Sequence, residues 1–133
     1  MGDRPHILII DDDRDLVNSI GIILESQDYE TSAAYNGKEG FTKIQERIPD
    51  LIILDVMMAT DTEGFDLAFK LQRNPEYSGI PILMVTALPQ KMVEMGPEKF
   101  QHILGENWPV TEFLEKPIDP ERLLAAAKTL LQK

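Results

Sequence analysis

Short apolar runs that stop at an acid or a hydroxyl, alternating with amphipathic stretches, constrain this chain more than any other feature. His6-Ile-Leu-Ile-Ile10 and Leu51-Ile-Ile-Leu54 are uninterrupted and end at Asp11 and Asp55. Runs of that length, apolar at every position, suit strands buried on both faces. Pro81-Ile-Leu-Met-Val85, ending at Thr86, is a third of this kind. Tyr29 to Tyr35 reads as a weaker strand, and Phe113-Leu114 as a short one before Lys116-Pro117.

Between these runs the period changes from two to about 3.6. Residues Asp13 to Ser26 place Leu16, Val17, Ile20, Ile23 and Leu24 on one helical face. Asn36-Gly37 breaks the chain, and Phe41, Ile44 and Ile48 mark a second helix that Pro49 ends. Gly64 to Arg73 offers a third. Phe100, Ile103 and Leu104 carry helical spacing in a fourth region, cut by Pro89, Gly96, Pro97, Gly105 and Pro109. Asp119-Pro120-Glu121 opens the last helix, with an N-cap acid, proline at the first helical position and an acid in the first turn. Five strands alternating with five helices give a doubly wound α/β domain, a parallel sheet with helices on both faces. No repeat or linker divides the chain, so residues 1–133 are expected to form a single domain.

Charge and composition narrow the function. With 13 basic and 23 acidic residues the net charge is −10, which repels a phosphate backbone, so neither nucleic acid nor a membrane surface is an expected partner. Cysteine is absent, which removes disulfides, thiolate metal sites and cysteine nucleophiles together. No apolar run approaches the ~18 residues of a membrane span, and no signal peptide is expected from the opening residues. The expected setting is the cytoplasm.

In doubly wound sheets the ligand site lies beyond the carboxyl ends of the strands. Those positions hold Asp11-Asp12-Asp13, Asp55, Thr86 and Lys116. Three carboxylates brought to one crevice repel unless a cation intervenes, and hard oxygen donors without cysteine or clustered histidine favour Mg²⁺. A carboxylate nucleophile, a metal, a lysine and a hydroxyl together make a phosphoryl-transfer site. Taken singly, each residue has a bland reading. Asp13 and Asp15 serve as N-terminal helix acids, Thr86 is an ordinary strand residue and Lys116 a solvated lysine. An acid such as Asp55, between apolar residues at a buried strand end, is harder to explain by packing.

The segments Ile7-Leu-Ile-Ile-Asp-Asp-Asp13, Pro49-Asp-Leu-Ile-Ile-Leu-Asp-Val-Met-Met58, Pro81-Ile-Leu-Met-Val-Thr-Ala87 and Phe113-Leu-Glu-Lys-Pro117 are similar, in order and spacing, to the receiver domain of two-component response regulators, with a chemotaxis-regulator-like pattern. The resemblance covers almost the whole chain. It implies a flavodoxin-like, five-stranded parallel sheet of strand order 2-1-3-4-5. It makes Asp55 the phosphoacceptor and Asp11 and Asp12 the acidic pair for Mg²⁺, with the carbonyl of Met57 completing the metal shell. Thr86 and Lys116 would contact the phosphoryl group, Phe113 matches the aromatic switch position, and Lys116-Pro117 the family's cis peptide. Two departures stand out. Ala59 occupies the place of the family's usual proline, in a loop one residue longer before Gly64. Thr86 and Lys116 are 30 positions apart, which enlarges the 88–110 region beyond the usual pattern.

The implied function is a phosphorylation-activated regulator, accepting a phosphoryl group on Asp55 from a histidine kinase or phosphotransfer protein and switching a surface for a downstream protein. It would catalyse its own phosphorylation and dephosphorylation without being a conventional enzyme. One alternative is a haloacid-dehalogenase-type phosphatase, whose D-x-D motif Asp11-Asp12-Asp13 satisfies literally. Arg14 and Asp15 then break that motif, and Asp55 is left without a use. A second is a degenerate receiver acting as a constitutive protein-binding module.

Overall fold

The computed structural model describes residues 4–55, 63–86, 112–115 and 118–131, with the side chains of 63–65, 86, 112, 113 and 115 outside that description. Five strands form one sheet: β1 (His6–Ile10), β2 (Glu30–Ala34), β3 (Leu51–Leu54), β4 (Ile82–Thr86) and β5 (Glu112–Glu115). Their order is β2-β1-β3-β4-β5, every pair parallel. This is the doubly wound topology that the alternation of runs implies.

The described helices are α1 (Arg14–Glu25), α2 (Gly37–Glu46), α3 (Glu63–Gln72) and α4 (Pro120–Leu131). The expected helix within 88–110, the lengthened 59–63 loop and the Lys116-Pro117 peptide lie outside the described residues.

Strand alternation divides the core in two. Leu8 and Ile10 of β1 join Ile52, Leu54 and Met84 against Ile44 of α2 and Leu67, Ala68 and Leu71 of α3. Ile7 and Ile9 point the other way, with Ile53, Leu83 and Val85, onto Val17, Ile20 and Leu24 of α1 and Leu123, Ala127 and Leu130 of α4. All four residues from Leu51 to Leu54 are buried, because β3 is covered on both faces. Burying each such aliphatic side chain contributes roughly 1.5–3 kcal/mol.

The helix ends follow local chemistry. Asp13 caps α1, its Oδ1 accepting from the Leu16 N–H at 3.1 Å. Asn36 caps α2 through the Glu39 N–H at 2.7 Å, and Glu39 Oε1 accepts the Tyr35 N–H at 2.6 Å, locking the β2–α2 turn. One helical expectation fails. Ile48 is not on the buried stripe of α2, which ends at Glu46, and its side chain is 46% exposed. Arg47 is already extended (φ −156°, ψ 116°), and Pro49 disfavours helical backbone at the residue before it.

Candidate functional site

The parallel arrangement places the carboxyl ends of β1 and β3 side by side, with Ile10 paired to Leu54. The acids that follow each strand therefore emerge together. One carboxylate oxygen from each of Asp11, Asp12 and Asp55 lies within 4.8 Å of the others. Asp11 and Asp55 are buried, at 3% and 4% exposure, while Asp12 opens to solvent. The cluster thus joins two buried acids to one exposed acid.

Backbone contacts fix its geometry. The Asp55 N–H donates to the Ile10 carbonyl at 2.9 Å, and the Asp11 N–H to the Ala34 carbonyl at 3.1 Å. Asp55 is thereby tied to the end of β1, and Asp11 to the end of β2. The Asp13 N–H donates to Asp11 Oδ1 at 2.9 Å, turning the chain from strand into helix. Asp13 itself faces the α1 amides, so the first acid run divides into two site acids and one cap.

Electrostatics gives this arrangement its chemistry. Two unit charges 4.8 Å apart repel by about 3 kcal/mol at an effective dielectric of ~20. Three carboxylates at this spacing form a strong attractor for a cation, and their oxygen-only donor set suits a hard divalent ion. The exposure of Asp12 gives solvent access to the cluster.

Of the other expected site residues, Thr86 ends β4 on the same edge of the sheet, and Phe113 lies in β5, paired with Met84. Their side chains, together with Met57 and Lys116, lie outside the described residues.

Two features escaped the sequence reading. The Arg14 guanidinium lies 3.9 Å from the centre of the Tyr35 ring, joining the first turn of α1 to the end of β2. The signal was available, since Arg14 follows the acid run and Tyr35 follows a strand that pairs with β1. At the opposite edge of the sheet, His6 is buried at 5% exposure, with Nε2 2.6 Å from Ser32 Oγ. Asp50 Oδ2 accepts the His6 N–H at 2.7 Å, and the His6 carbonyl accepts the Asp50 N–H. That histidine is a structural group remote from the acids. Among the described residues no helix is long and apolar enough to cross a membrane.

Comparison with known proteins agrees with this geometry. The chain is 36% identical over 129 residues to the DNA-binding dual master transcriptional regulator RpaA of a Synechocystis species, covering 97% of this chain and 50% of that protein. It is 34% identical to the phosphate regulon transcriptional regulatory protein PhoB of Pseudomonas aeruginosa, covering 96% and 52%. The chain therefore spans about half the length of these curated relatives. Among solved structures, chemotaxis protein CheY4 of Vibrio cholerae superposes with a TM-score of 0.79 at 31% identity, covering 96% of this chain and 99% of that one. A CheY-like receiver domain protein from Methanospirillum hungatei gives 0.79 at 29% identity, covering 97% and 94%. The family model for the response regulator receiver domain matches residues 7–128, and the chain belongs to that family.

Proposed function

We propose that residues 1–133 act as one receiver domain that takes a phosphoryl group on Asp55 from a histidine kinase or phosphotransfer protein and then switches a protein-binding surface. The observation that carries this reading is the convergence of Asp11, Asp12 and Asp55 within 4.8 Å at the carboxyl ends of adjacent parallel strands. The nucleophile in this reading is Asp55, which follows the strand between β1 and β4 and has a carboxylate oxygen near those of Asp11 and Asp12.

An Asp55 carboxylate oxygen attacks phosphorus in line. The phosphorus–nitrogen bond of phosphohistidine breaks, its electron pair stays on the imidazole, and Asp55 becomes an acyl phosphate. Asp11, Asp12 and Asp55 would hold Mg²⁺, with the Met57 carbonyl assigned by family resemblance. There it would supply positive charge to offset that of the phosphoryl oxygens. The donor set fits Mg²⁺, which takes one or two carboxylates, keeps several waters and accepts a phosphate oxygen as a further ligand. Lys116 and Thr86 pair with the remaining phosphoryl oxygens. Movement of Thr86 toward the acyl phosphate opens space for Phe113, a population shift driven by local charge. The hydrogen-bonded pairing of β4 with β5 supports that coupling.

The partners are proteins, and the setting is the cytoplasm. RpaA is named as DNA-binding, but the chain matches only half of it, and a net charge of −10 favours keeping nucleic acid off this portion.

The test is labelling with acetyl phosphate and Mg²⁺. The wild type and Asp13→Asn should both take up phosphoryl group, and Asp55→Asn should take up none. Undiminished labelling of Asp55→Asn would overturn the assignment.

A further inference from the structure

We propose that Gly40 is a positioning residue for the acid cluster, acting through Ile10. Gly40 is buried in the middle of α2, where glycine is intrinsically less favourable than alanine. The reason for it is a close approach. A Cβ built on Gly40 would lie 2.7 Å from Ile10 Cδ1 and 3.2 Å from Ile10 Cγ1.

Ile10 has little freedom to yield. Its Cδ1 can turn about χ2, but Cγ1 at 3.2 Å and Cγ2 at 3.4 Å are set by the restricted χ1 of a β-branched residue, and the whole side chain is buried in the core beneath α2 and α3. Interiors packed at crystal-like density transmit such a displacement rather than absorb it.

The same residue holds both buried acids. Ile10 is the last residue of β1, paired with Ala34 on one side and Leu54 on the other. Its carbonyl accepts the Asp55 N–H, and it immediately precedes Asp11. A methyl group at position 40 therefore lifts α2 from the sheet or pushes the end of β1. The second outcome changes the spacing of Asp11 from Asp55, which sets the geometry of the cation site. Gly40 and Ile10 form a volume-matched pair, and the pair tunes the site without touching it.

The functional half of this inference rests on the proposed metal and phosphoryl chemistry, so the test reads the backbone as well as the ion. Gly40→Ala, Ile10→Val and the double variant are compared by hydrogen exchange at the Asp55 amide, with the Ile20 amide of α1 as the opposite-face control, and by Mg²⁺ titration. Gly40→Ala should speed Asp55 exchange several-fold while leaving Ile20 unchanged, and should weaken Mg²⁺ by a similar factor. Ile10→Val removes the Cδ1 atom at the closest contact, so the double variant should return both readings to near wild type. If Gly40→Ala fails to fold, recovery of folding and Mg²⁺ affinity in the double variant carries the same weight. Unchanged Asp55 exchange in a folded Gly40→Ala, or a double variant no better than the single, would overturn the proposal. A wild type that binds no Mg²⁺ would defeat the metal reading instead, and the amide data would still decide the coupling.

Discussion

The Asp55 N–H donates to the Ile10 carbonyl at 2.9 Å, so the acid that follows β3 is fastened to the residue that precedes Asp11 on β1. This interstrand contact, at the end of the β1–β3 ladder, links the backbones that carry the two buried carboxylates. The parallel sheet makes this possible by bringing strand ends distant in sequence to one edge.

Metal binding should report that relation. Mg²⁺ affinity should be weak in the free protein, because the ion meets few protein ligands and sheds water reluctantly. Asp11→Asn and Asp55→Asn should each weaken it further. Beryllofluoride, a phosphoryl mimic, should tighten it through the shared anion. Equal affinity with and without the mimic, measured by calorimetric titration, would show that ion and phosphoryl group do not share a site.

Asp13 should behave as a cap and not as a site acid. Its side chain accepts the Leu16 N–H, whereas its own N–H holds Asp11, a contact that survives side-chain removal. Asp13→Ala should lower unfolding free energy by about 1 kcal/mol in urea denaturation. Mg²⁺ affinity should hold. A loss of affinity comparable to that of Asp11→Asn would move Asp13 into the site.

The His6 environment predicts an acid-sensitive fold. Burial lowers the His6 pKa from its ordinary 6.5, Arg47 lowers it further, and Glu30 and Asp50 oppose the shift. The unfolded chain then binds the proton more readily than the folded one. This contribution to stability is complete above pH 6.5 and is lost as the pH falls below it toward the folded value. Glu30 adds a loss at lower pH, since its hydrogen bond from Arg47 holds the carboxyl below the usual 4.5. Urea midpoints followed from about pH 7.5 to about pH 5 should fall more steeply for the wild type than for His6→Gln. Parallel slopes would exclude His6 as the titrating group.

Much of this architecture was legible because burial on both faces leaves an unambiguous mark. Strands β1 and β3 have the bounds their apolar runs imply, and β4 is displaced by one residue. The Asp119-Pro120-Glu121 signal likewise begins α4. Ile48 misled because Pro49 not only stops the helix but disfavours helical backbone at the residue before it, and α2 ends at Glu46. The His6–Ser32 contact was hidden for another reason. It depends on the register of β1 against β2, and the weak pattern of Glu30–Ala34 does not specify register. At the site, the grouping of Asp11, Asp12 and Asp55 followed from the rule for parallel sheets. The close fit of Gly40 on Ile10 could not, because it depends on how near α2 approaches the sheet.

The most direct test of the phosphoacceptor assignment is to locate the modified residue. The wild type is treated with acetyl phosphate and Mg²⁺, the acyl phosphate is reduced with borohydride, and the peptides are read by mass spectrometry. Reduction converts a phosphorylated aspartate to homoserine, and homoserine should appear at position 55 alone. Homoserine at position 11, with Asp55 unmodified, would contradict the account and favour a first-strand nucleophile.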